Sequence, residues 1–238
     1  MSGPAGGGRR VVVTGAAGSI GRAITPVLAG RWDLRPTDVP GGDPDALDVT
    51  DGEACRAAFA GADAVVHLAA VPDPEAGWEQ LLPANVIGGY QVAQAAADCG
   101  VRRLVLASSL QAVSAYPEGR QVRTTDPPRP ANLYGATKAW AEALGAWVAS
   151  TSSTSVVALR IGYFAQQPPG GPGATARDVA AWLSPRDCAE LVRTAVEADV
   201  RGFIVANGTS ANRYRFADLA ETTATLGYRP ADDAWSGR

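Results

Sequence analysis

The sequence predicts an α/β fold built on a doubly wound parallel sheet. Short apolar runs alternate with helical patterns along most of the chain, and this alternation is typical of parallel sheets. The first apolar run ends in a glycine-rich turn, and 238 residues are enough for one α/β unit. We therefore expect a single domain, with a core over 9–164 that is contiguous with a small C-terminal lobe over 165–238.

The first half of the chain begins with a glycine-rich segment, 1–8, which has no apolar stretch typical of a signal peptide and is expected to be a disordered leader. A β-branched run at 11–13 predicts the first strand. A helical pattern follows the glycine turn. The further predicted elements are a strand around Leu34 that ends at Asp38, a strand at 64–68, a helix from Trp78 to Cys99 broken near Pro83, and a strand at 103–107.

The second half continues with a helix over 135–149, a strand over 156–161 and a strand at 202–206. Two irregular loops, 115–132 and 165–176, follow the ends of strands. Ligands of open α/β sheets bind outside the carboxyl ends of strands, so these loops are expected to form walls of a pocket. The second loop is equally compatible with a mobile surface insertion.

The composition argues against several classes of protein. The chain has 21 Lys and Arg residues against 24 Asp and Glu, a net charge of −3, so nucleic acid is not an expected partner. Cys55, Cys99 and Cys188 are widely spaced and form no CxxC pair, which argues against a disulfide framework and a zinc site. No apolar run approaches the roughly 20 residues of a membrane helix. We expect a cytoplasmic protein without a metal.

A glycine pattern and an acidic residue together indicate a dinucleotide site. Gly15, Gly18 and Gly21 lie between the first strand and the first helix, where glycines let the backbone approach a pyrophosphate at the helix N-terminus. Asp38 ends the second strand, where its carboxylate can bind the adenosine ribose diol and repel a 2′-phosphate. This favours NAD over NADP, although Asp38 could instead be a solvated loop carboxylate. Asp48 could cap a backbone or bond the adenine amine.

Further side chains indicate a catalytic group at the same edge of the sheet. Tyr134 and Lys138 are four residues apart, which places them on one face of a helix. A Lys ammonium favours the phenolate form of a neighbouring Tyr, so we expect it to lower the pKa of Tyr134 toward a value useful to a general base. Ser108 and Ser109 end a strand, where one hydroxyl can orient a substrate oxygen. His67, the only histidine, is expected to be a packed strand-end residue.

Several motifs taken together are more specific than any one of them. They are Thr14-Gly15-x-x-Gly18-x-x-Gly21, His67-Leu68-Ala69-Ala70, Asn85-Val86-x-Gly88 and the Tyr134/Lys138 pair. With these motifs the chain resembles the extended short-chain dehydrogenases/reductases, the NAD-dependent epimerase/dehydratase family. Later stretches resemble bacterial uronate dehydrogenases in particular; they are Tyr116-Pro117, Arg129-Pro130, Leu159-Arg160-Ile161-Gly162, Trp182-Leu183-Ser184, Ser210-Ala211-Asn212 and Leu226-Gly227-Tyr228-Arg229-Pro230.

The resemblance implies a Rossmann-like doubly wound parallel sheet with a small C-terminal substrate lobe, and NAD as the cofactor. It implies Ser109, Tyr134 and Lys138 as the catalytic residues, and Arg177 as the residue that holds a substrate carboxylate. The expected cofactor contacts are Gly15, Gly18, Ser19, Ile20, Gly21, Asp38, Asp48, Val49, Leu68, Ala69, Ala70, Asn85, Tyr134, Lys138 and Ile161.

Two departures from the family pattern concern the substrate. Leu110 and Gln111 stand where uronate dehydrogenases carry Asn-His, and Val71 and Pro72 stand where they have a serine. Each lost hydrogen bond to a buried sugar hydroxyl costs on the order of 1 kcal/mol, so a hexuronate is expected to bind poorly. Arg177 could equally be a solvated charge. The expected substrate contacts are Val71, Ser109, Leu110, Gln111, Tyr134 and Arg177.

Three functions are compatible with these residues. The favoured one is hydride transfer between NAD and a small polar alcohol or carbonyl compound, such as a sugar or sugar acid, with Tyr134 as general base or acid. The alternatives are an NAD-retaining sugar-nucleotide epimerase or dehydratase, and a non-catalytic NAD-sensing protein. A sensor needs the glycine turn but has no use for the intact set of Ser109, Tyr134 and Lys138.

The helix predicted around Lys138 carries Trp140, Leu144 and Trp147 at three- and four-residue spacing. Such a stripe can pack on the sheet or form the seam between two copies of the chain. We expect a homodimer.

Overall fold

The computed structural model describes residues 8–39 and 46–236; residues 1–7, most of the expected leader, lie outside that part. The strands are β1 (Arg10–Thr14), β2 (Asp33–Thr37), β3 (Ala64–His67), β4 (Arg103–Ser109), β5 (Ser155–Ile161), β6 (Tyr163–Phe164), β7 (Trp182–Leu183) and β8 (Phe203–Gly208). The helices are α1 (Ser19–Leu28), α2 (Gly52–Phe59), α3 (Trp78–Leu81), α4 (Gly89–Asp98), α5 (Leu133–Thr151), α6 (Ala176–Ala180), α7 (Pro185–Glu197) and α8 (Ala220–Leu226), with a π-helical segment at Leu82–Gly88 and a 3-10 helix at Leu110–Val113.

Six strands form one parallel sheet in the order β2-β1-β3-β4-β5-β8, and β6 pairs with β7 separately. Because β2 and β3 lie on opposite sides of β1, the direction of winding reverses between β1 and β3. Ligands of such sheets bind where the strand order reverses. The glycine turn after β1 and the loop after β3 both leave the sheet at this point. The doubly wound parallel sheet predicted from the sequence is confirmed.

Helices cover both faces of the sheet, because side chains point alternately to each side of every strand. Val11 and Val13 belong to the apolar cluster under α1 and α7, whereas Val12 belongs to the cluster under α2, α4 and α5. This burial on both faces explains why the strands are continuous apolar runs in the sequence.

The segment expected to form a helix from Trp78 to Cys99 is helical from the start of α3 to the end of α4. Its expected break near Pro83 is the π-helical segment, which leads directly from α3 into α4. Wider turns of this kind occur frequently at functional sites. This one carries Asn85 toward the loop that follows β3.

Helix α5 begins at Leu133, slightly before its predicted start. The side chain of Asn132 caps the helix by accepting a 2.7 Å hydrogen bond from the amide of Gly135. Helix α5 packs on the central strands β4 and β5, and its first two turns carry Tyr134 and Lys138 to the carboxyl edge of the sheet.

Strand β8 returns to the main sheet beside β5, so the residues of the predicted C-terminal lobe share that sheet with the preceding core. The short pair β6 and β7 and helix α6 lie between β5 and this return. Within 8–39 and 46–236, no helix has the length and apolar character needed to cross a membrane.

Candidate active site

The glycine turn between β1 and α1 packs closely on its neighbours. Gly15 has a left-handed backbone with φ of 72°, and a Cβ atom there would lie 2.5 Å from the amide nitrogen of Ala69. A Cβ atom on Gly21 would lie 2.5 Å from the carbonyl oxygen of Gly15. Helix α1 begins at Ser19 without a side-chain cap. Its first amides can therefore bind an anion such as a pyrophosphate.

Asp38 is held against this turn. Its Oδ2 accepts a 2.6 Å hydrogen bond from the amide of Ala17, and the carbonyl oxygen of the preceding Thr37 accepts one of 3.0 Å from Ala16. The half-buried carboxylate thus lies beside the glycine turn, where the ribose of a dinucleotide would need it. Asp38 is bonded to the turn rather than free in solvent.

Asp48 is turned toward its own loop. Its Oδ1 accepts hydrogen bonds of 2.9 Å from the amide and 2.8 Å from the hydroxyl of Thr50, and these bonds hold the pKa of its carboxyl below the usual value. Of the two roles expected for Asp48, the structure shows the backbone cap, and a bond to the adenine amine stays a prediction. Val49 is buried, and a Cβ atom on Gly88 would lie 2.7 Å from its Cγ2.

The remaining predicted cofactor contacts lie close to the ends of strands. Leu68, Ala69 and Ala70 directly follow β3 and are half-buried, and the amide of Leu68 donates a 3.1 Å hydrogen bond to the carbonyl oxygen of Thr14. Ile161 is the last residue of β5 and is buried. Ile20 lies in the first turn of α1, directly after Ser19.

Asn85 is buried between the loop after β3 and helix α5. Its Oδ1 accepts a 2.8 Å hydrogen bond from the amide of Val71, while its Nδ2 donates to the carbonyl oxygen of Val71 at 3.2 Å and to the hydroxyl of Thr137 at 3.1 Å. The amide group is therefore used within the chain. A direct contact between Asn85 and NAD stays a prediction.

The two serines at the end of β4 point in different directions. The hydroxyl of Ser108 donates a 2.7 Å hydrogen bond to Glu142 in the interior. Ser109 instead accepts a 3.1 Å hydrogen bond from the amide of Gln111, and its hydroxyl lies near enough to Tyr134 to lower the pKa of the phenol. Ser109 is therefore the serine that faces the predicted catalytic pair.

Burial shifts both members of the catalytic pair toward their neutral forms. The Lys138 ammonium lies 5.5 Å from the centre of the Tyr134 ring and donates a 2.9 Å hydrogen bond to the carbonyl oxygen of Ala107. Burial lowers the pKa of Lys138 to about 8. Burial raises the pKa of Tyr134 to about 12, and the Ser109 hydroxyl offsets part of this rise.

The expected lowering of the Tyr134 pKa by Lys138 is therefore wrong for the protein alone. Removal of the phenolate from water dominates the Tyr134 pKa, and the influence that opposes it comes from Ser109 rather than from the Lys138 ammonium.

Lys138 is also the only lysine of the sequence; every other basic residue is an arginine. An arginine in this buried place would remain charged at any accessible pH, whereas a lysine can lose its proton. This count can be read from the sequence alone. It is a compositional signal that sets Lys138 apart from ordinary surface cations.

His67 packs where the sequence predicts, at the end of β3. Its Nδ1 lies 2.8 Å from the hydroxyl oxygen of Thr14. Burial, with a smaller contribution from the Lys138 charge, lowers the pKa of His67 to about 3. The imidazole is therefore neutral at physiological pH.

Arg177 on α6 is bound to the loop that follows the 3-10 helix. Its Nη1 donates to the carbonyl oxygen of Ser114, its Nη2 donates to that of Tyr116 at 2.7 Å, and the guanidinium carbon lies 4.6 Å from the centre of the Phe216 ring. The alternative of a solvated charge is wrong, because these groups enclose the guanidinium. Its role as a carboxylate clamp stays a prediction.

The other predicted substrate residues differ in exposure. Leu110 is buried in an apolar cluster with Val113 and Tyr116, and Val71 packs beside Tyr134. Gln111 is half-buried, and its Oε1 accepts a 3.0 Å hydrogen bond from Nδ2 of Asn132. Because Leu110 is 6% exposed, Gln111 is the more accessible of the two residues that depart from the family pattern.

The winding of the sheet, the glycine turn with Asp38, and the cluster of Ser109, Tyr134 and Lys138 define a nucleotide-dependent oxidoreductase fold and site. The chain belongs to the NAD dependent epimerase/dehydratase family, whose sequence model matches residues 11–165.

Curated relatives and solved structures agree with this assignment. The chain is 39% identical to L-arabinose 1-dehydrogenase (NAD(P)(+)) of Haloferax volcanii, over 94% of this chain and 97% of the relative. It is 36% identical to NAD-dependent glucose-6-phosphate dehydrogenase of the same organism, over 94% of each chain. The crystal structure of uronate dehydrogenase from Agrobacterium tumefaciens superposes with a TM-score of 0.85 at 32% identity, covering 96% of this chain and 86% of that one.

These comparisons confirm the predicted family, the resemblance to uronate dehydrogenases, NAD as the cofactor, and the class of enzyme, an NAD-dependent oxidoreductase. A variant of the Agrobacterium tumefaciens enzyme, 31% identical to this chain with a TM-score of 0.85, was solved in complex with NAD; it covers 96% of this chain and 86% of its own.

Proposed function

We propose that the protein is a dehydrogenase that oxidises a hydroxyl group of a sugar or sugar acid with NAD. The observation that carries the proposal is the meeting of Ser109, Tyr134 and Lys138 at the carboxyl end of β4, beside the point where the winding of the sheet reverses. A protein that only senses NAD has no need of this cluster.

The residues around the glycine turn fit NAD. The uncapped N-terminus of α1 suits the pyrophosphate, and the neighbouring backbone leaves no room for a Cβ atom at Gly15 or Gly21. Asp38 would accept hydrogen bonds from the adenosine ribose, and Lys138 would bind the nicotinamide ribose. When bound, NAD supplies the hydride acceptor and, in its oxidised form, a positive ring charge that favours the phenolate of Tyr134.

In this proposal each residue of the catalytic cluster has a distinct role. Ser109 holds the substrate oxygen by donating its hydroxyl proton, while its Oγ accepts a hydrogen bond from the amide of Gln111. Tyr134 removes the proton of the substrate hydroxyl. Lys138, with a pKa of about 8, is mostly charged at neutral pH and stabilises the phenolate beside it.

Gln111 supports a substrate that offers an acceptor oxygen. The amide of Gly135 donates to Oδ1 of Asn132, and Nδ2 of Asn132 donates to Oε1 of Gln111. This chain of bonds fixes the orientation of the Gln111 amide and leaves its Nε2 as the end that can donate to substrate. The similar enzymes are named for L-arabinose, glucose 6-phosphate and uronate, all of them sugars or sugar derivatives.

The test is NADH formation by purified protein with NAD and, separately, L-arabinose, glucose 6-phosphate, glucuronate and galacturonate. Tyr134→Phe should lose at least about 100-fold in turnover while its Kd for NAD, measured by calorimetry, stays within a few-fold. Tyr214→Phe, at a tyrosine that is 65% exposed, is the matched control and should keep full activity. NAD binding without turnover of any of these compounds would favour an NAD-retaining epimerase or a sensor instead.

We also infer a cytoplasmic homodimer that binds no nucleic acid. Trp140 and Trp147 on α5 are 41% and 40% exposed, and Trp147 stacks on Tyr90 of α4 with ring centres 6.3 Å apart. Leu144, expected in the same seam, is buried against the sheet instead. The exposed aromatic face supports association with a second copy. Free thiols at the three cysteines are compatible with a reducing compartment.

A further inference from the structure

A network of charged and polar side chains is buried directly behind the catalytic helix. The side chains of Arg160 and Glu142 are only 1% and 6% exposed, and they form two hydrogen bonds, from Nε to Oε1 at 2.8 Å and from Nη2 to Oε2 at 2.9 Å. Ser108 donates a third hydrogen bond to Oε1 of Glu142 at 2.7 Å. Neither Glu142 nor Arg160 was predicted from the sequence to belong to the site, and Ser108 was considered there only as an alternative to Ser109.

The network joins the parts of the fold that carry the catalytic residues. Glu142 lies one turn after Lys138 on α5, and Ser108 directly precedes Ser109 on β4. Arg160, on β5, is the register partner of Ser108 in the sheet. Both catalytic elements, α5 and β4, are therefore tied to the same buried ion pair.

The same guanidinium also holds the loop over 115–132. Nη1 of Arg160 donates to the carbonyl oxygen of Arg123 at 3.3 Å, and Nη2 donates to that of Asp126 at 3.1 Å. This loop follows the 3-10 helix next to Ser109 and is the expected wall of the substrate pocket. Arg160 thus connects the pocket wall to the catalytic helix.

Stability alone does not account for such a network. The attraction within a buried ion pair must offset the free energy lost when two charges are removed from water. Well-packed apolar side chains of similar volume often give equal or greater stability. What a bidentate pair adds is a fixed direction and distance between the two elements that carry it. Catalysis depends strongly on such alignment, because misplacement of about 1 Å can cost about 100-fold in rate.

We propose that Glu142 and Arg160 are positioning residues, which fix the depth and rotation of α5 so that Tyr134 and Lys138 meet Ser109 and the carbonyl oxygen of Ala107. The proposal rests on the dehydrogenase function proposed above. Neither residue contacts the reacting atoms.

The matched pair of variants is Arg160→Met and Arg103→Met. Arg103 is also a buried arginine that holds two carbonyl oxygens, those of Ala198 at 2.7 Å and Val200 at 2.9 Å, but it lies at the opposite end of β4. Arg160→Met should lower kcat by about 10-fold or more with the Kd for NAD within about threefold of wild type. Arg103→Met should lower Tm alone. Equal kcat in Arg160→Met and wild type would overturn the proposal.

Two further variants provide the test if Arg160→Met does not fold. Ser108→Ala leaves the ion pair intact and removes one hydrogen bond, and we expect about a threefold loss of kcat with little change in Tm. The double variant Glu142→Leu/Arg160→Met removes both charges together and should fold, yet its kcat should still be lower by about 10-fold or more. A folded double variant with wild-type kcat would show that the pair is only structural.

Lys138 provides a readout that does not depend on knowing the substrate. Because it is the only lysine, protein made with 13C-labelled lysine gives one side-chain signal by NMR, whose pH titration reports the Lys138 pKa. Arg160→Met should shift this signal and its titration midpoint, whereas Arg103→Met should leave both unchanged. An unshifted signal in Arg160→Met would contradict the proposal. If wild-type protein turned over no sugar, the proposed function would fail while this measurement still tested the positioning role.

Discussion

At the level of single residues, Tyr134 and Lys138 occupy surroundings that oppose the charge each of them needs. Burial raises the pKa of the tyrosine to about 12 and lowers that of the lysine to about 8. A site of this kind is maintained at the expense of folding stability, which is common for catalytic groups. At neutral pH it is Lys138 that lowers the folding stability, because this buried side chain is mostly protonated and charged there.

The first prediction is that Lys138→Met stabilises the protein at pH 7 and abolishes turnover. The lowered pKa of Lys138 corresponds to roughly 3 kcal/mol of destabilisation below pH 8, which the substitution removes. The substitution also removes the hydrogen bond to Ala107. We therefore expect the free energy of unfolding to rise by about 1–3 kcal/mol. Between the folded and unfolded pKa values the unfolded chain holds the extra proton, so wild-type stability rises with pH there. The gain should therefore shrink toward pH 10.5. Urea unfolding at pH 7 and pH 10 measures it; a larger gain at pH 10 would contradict the argument.

Spacing in the sequence was sufficient to find Gly15, Asp38, Tyr134 and Lys138, because each lies at a fixed distance from the end of a predicted strand or helix. Spacing does not report desolvation, so the direction of the Tyr134 pKa shift was predicted wrongly. The partners of Arg177 were also out of reach, since Ser114 and Tyr116 lie about 60 residues away in the chain.

At the level of elements, helix α5 is placed by contacts at its N-terminus. Asn132 caps it, and the carbonyl oxygen of Gln111 packs against Gly135 so closely that a Cβ atom there would lie 2.3 Å away. The 3-10 helix and α5 therefore meet through backbone atoms. The predicted helix began later than the observed one because a cap depends on local geometry that an apolar pattern does not show.

The second prediction is that Gly135→Ala destabilises the protein and lowers its activity. The new Cβ must displace either α5 or the 3-10 helix, which should cost about 1–3 kcal/mol and move Tyr134 relative to Ser109. Gly30→Ala, where a Cβ atom meets nothing within 4 Å, is the control and should change stability by less than about 0.5 kcal/mol. Thermal unfolding and turnover are measured on both; equal behaviour of the two variants would contradict the prediction.

At the level of the whole molecule, the parallel sheet with helices on both faces follows from the alternation of strands and helices together with the usual right-handed crossovers. The pattern could not show that Asp38, just beyond β2, pairs with Ala46 in a parallel bridge. It could not show that β8 returns beside β5 either, because strand order is set by packing between distant segments. The Glu142–Arg160 pair was missed for the same reason.

The third prediction concerns association. If the aromatic face of α4 and α5 forms the seam between two copies, Trp147→Glu should convert a dimer into a monomer, because it places a charge in an apolar interface. Tyr214→Glu changes an aromatic residue that is more exposed and lies in the C-terminal lobe, and it should leave the dimer intact. Light scattering after size-exclusion chromatography gives the masses. A monomeric wild type would refute the expectation.

The fourth prediction is an acid-dependent loss of stability that comes from His67. Its pKa is about 3 in the folded protein and 6.5 for an ordinary histidine in the unfolded chain, so between these values the unfolded chain binds one more proton than the folded chain. Stability should therefore fall as the pH falls below 6.5, by up to roughly 5 kcal/mol at pH 3. His67→Gln should remove this part of the slope. Urea unfolding at pH 7, 6 and 5 on both proteins checks it; parallel slopes would exclude His67 as the cause.

The burial of the sole lysine within α5 also determines how readily a lysine-specific protease can cleave the folded chain. An enzyme that cleaves only after lysine has one site in the whole sequence, and in the folded protein that bond lies in a helix beside a side chain that is 7% exposed. Cleavage therefore requires α5 to open. The rate at which such a protease divides the chain into residues 1–138 and 139–238 would measure the opening of the catalytic helix directly.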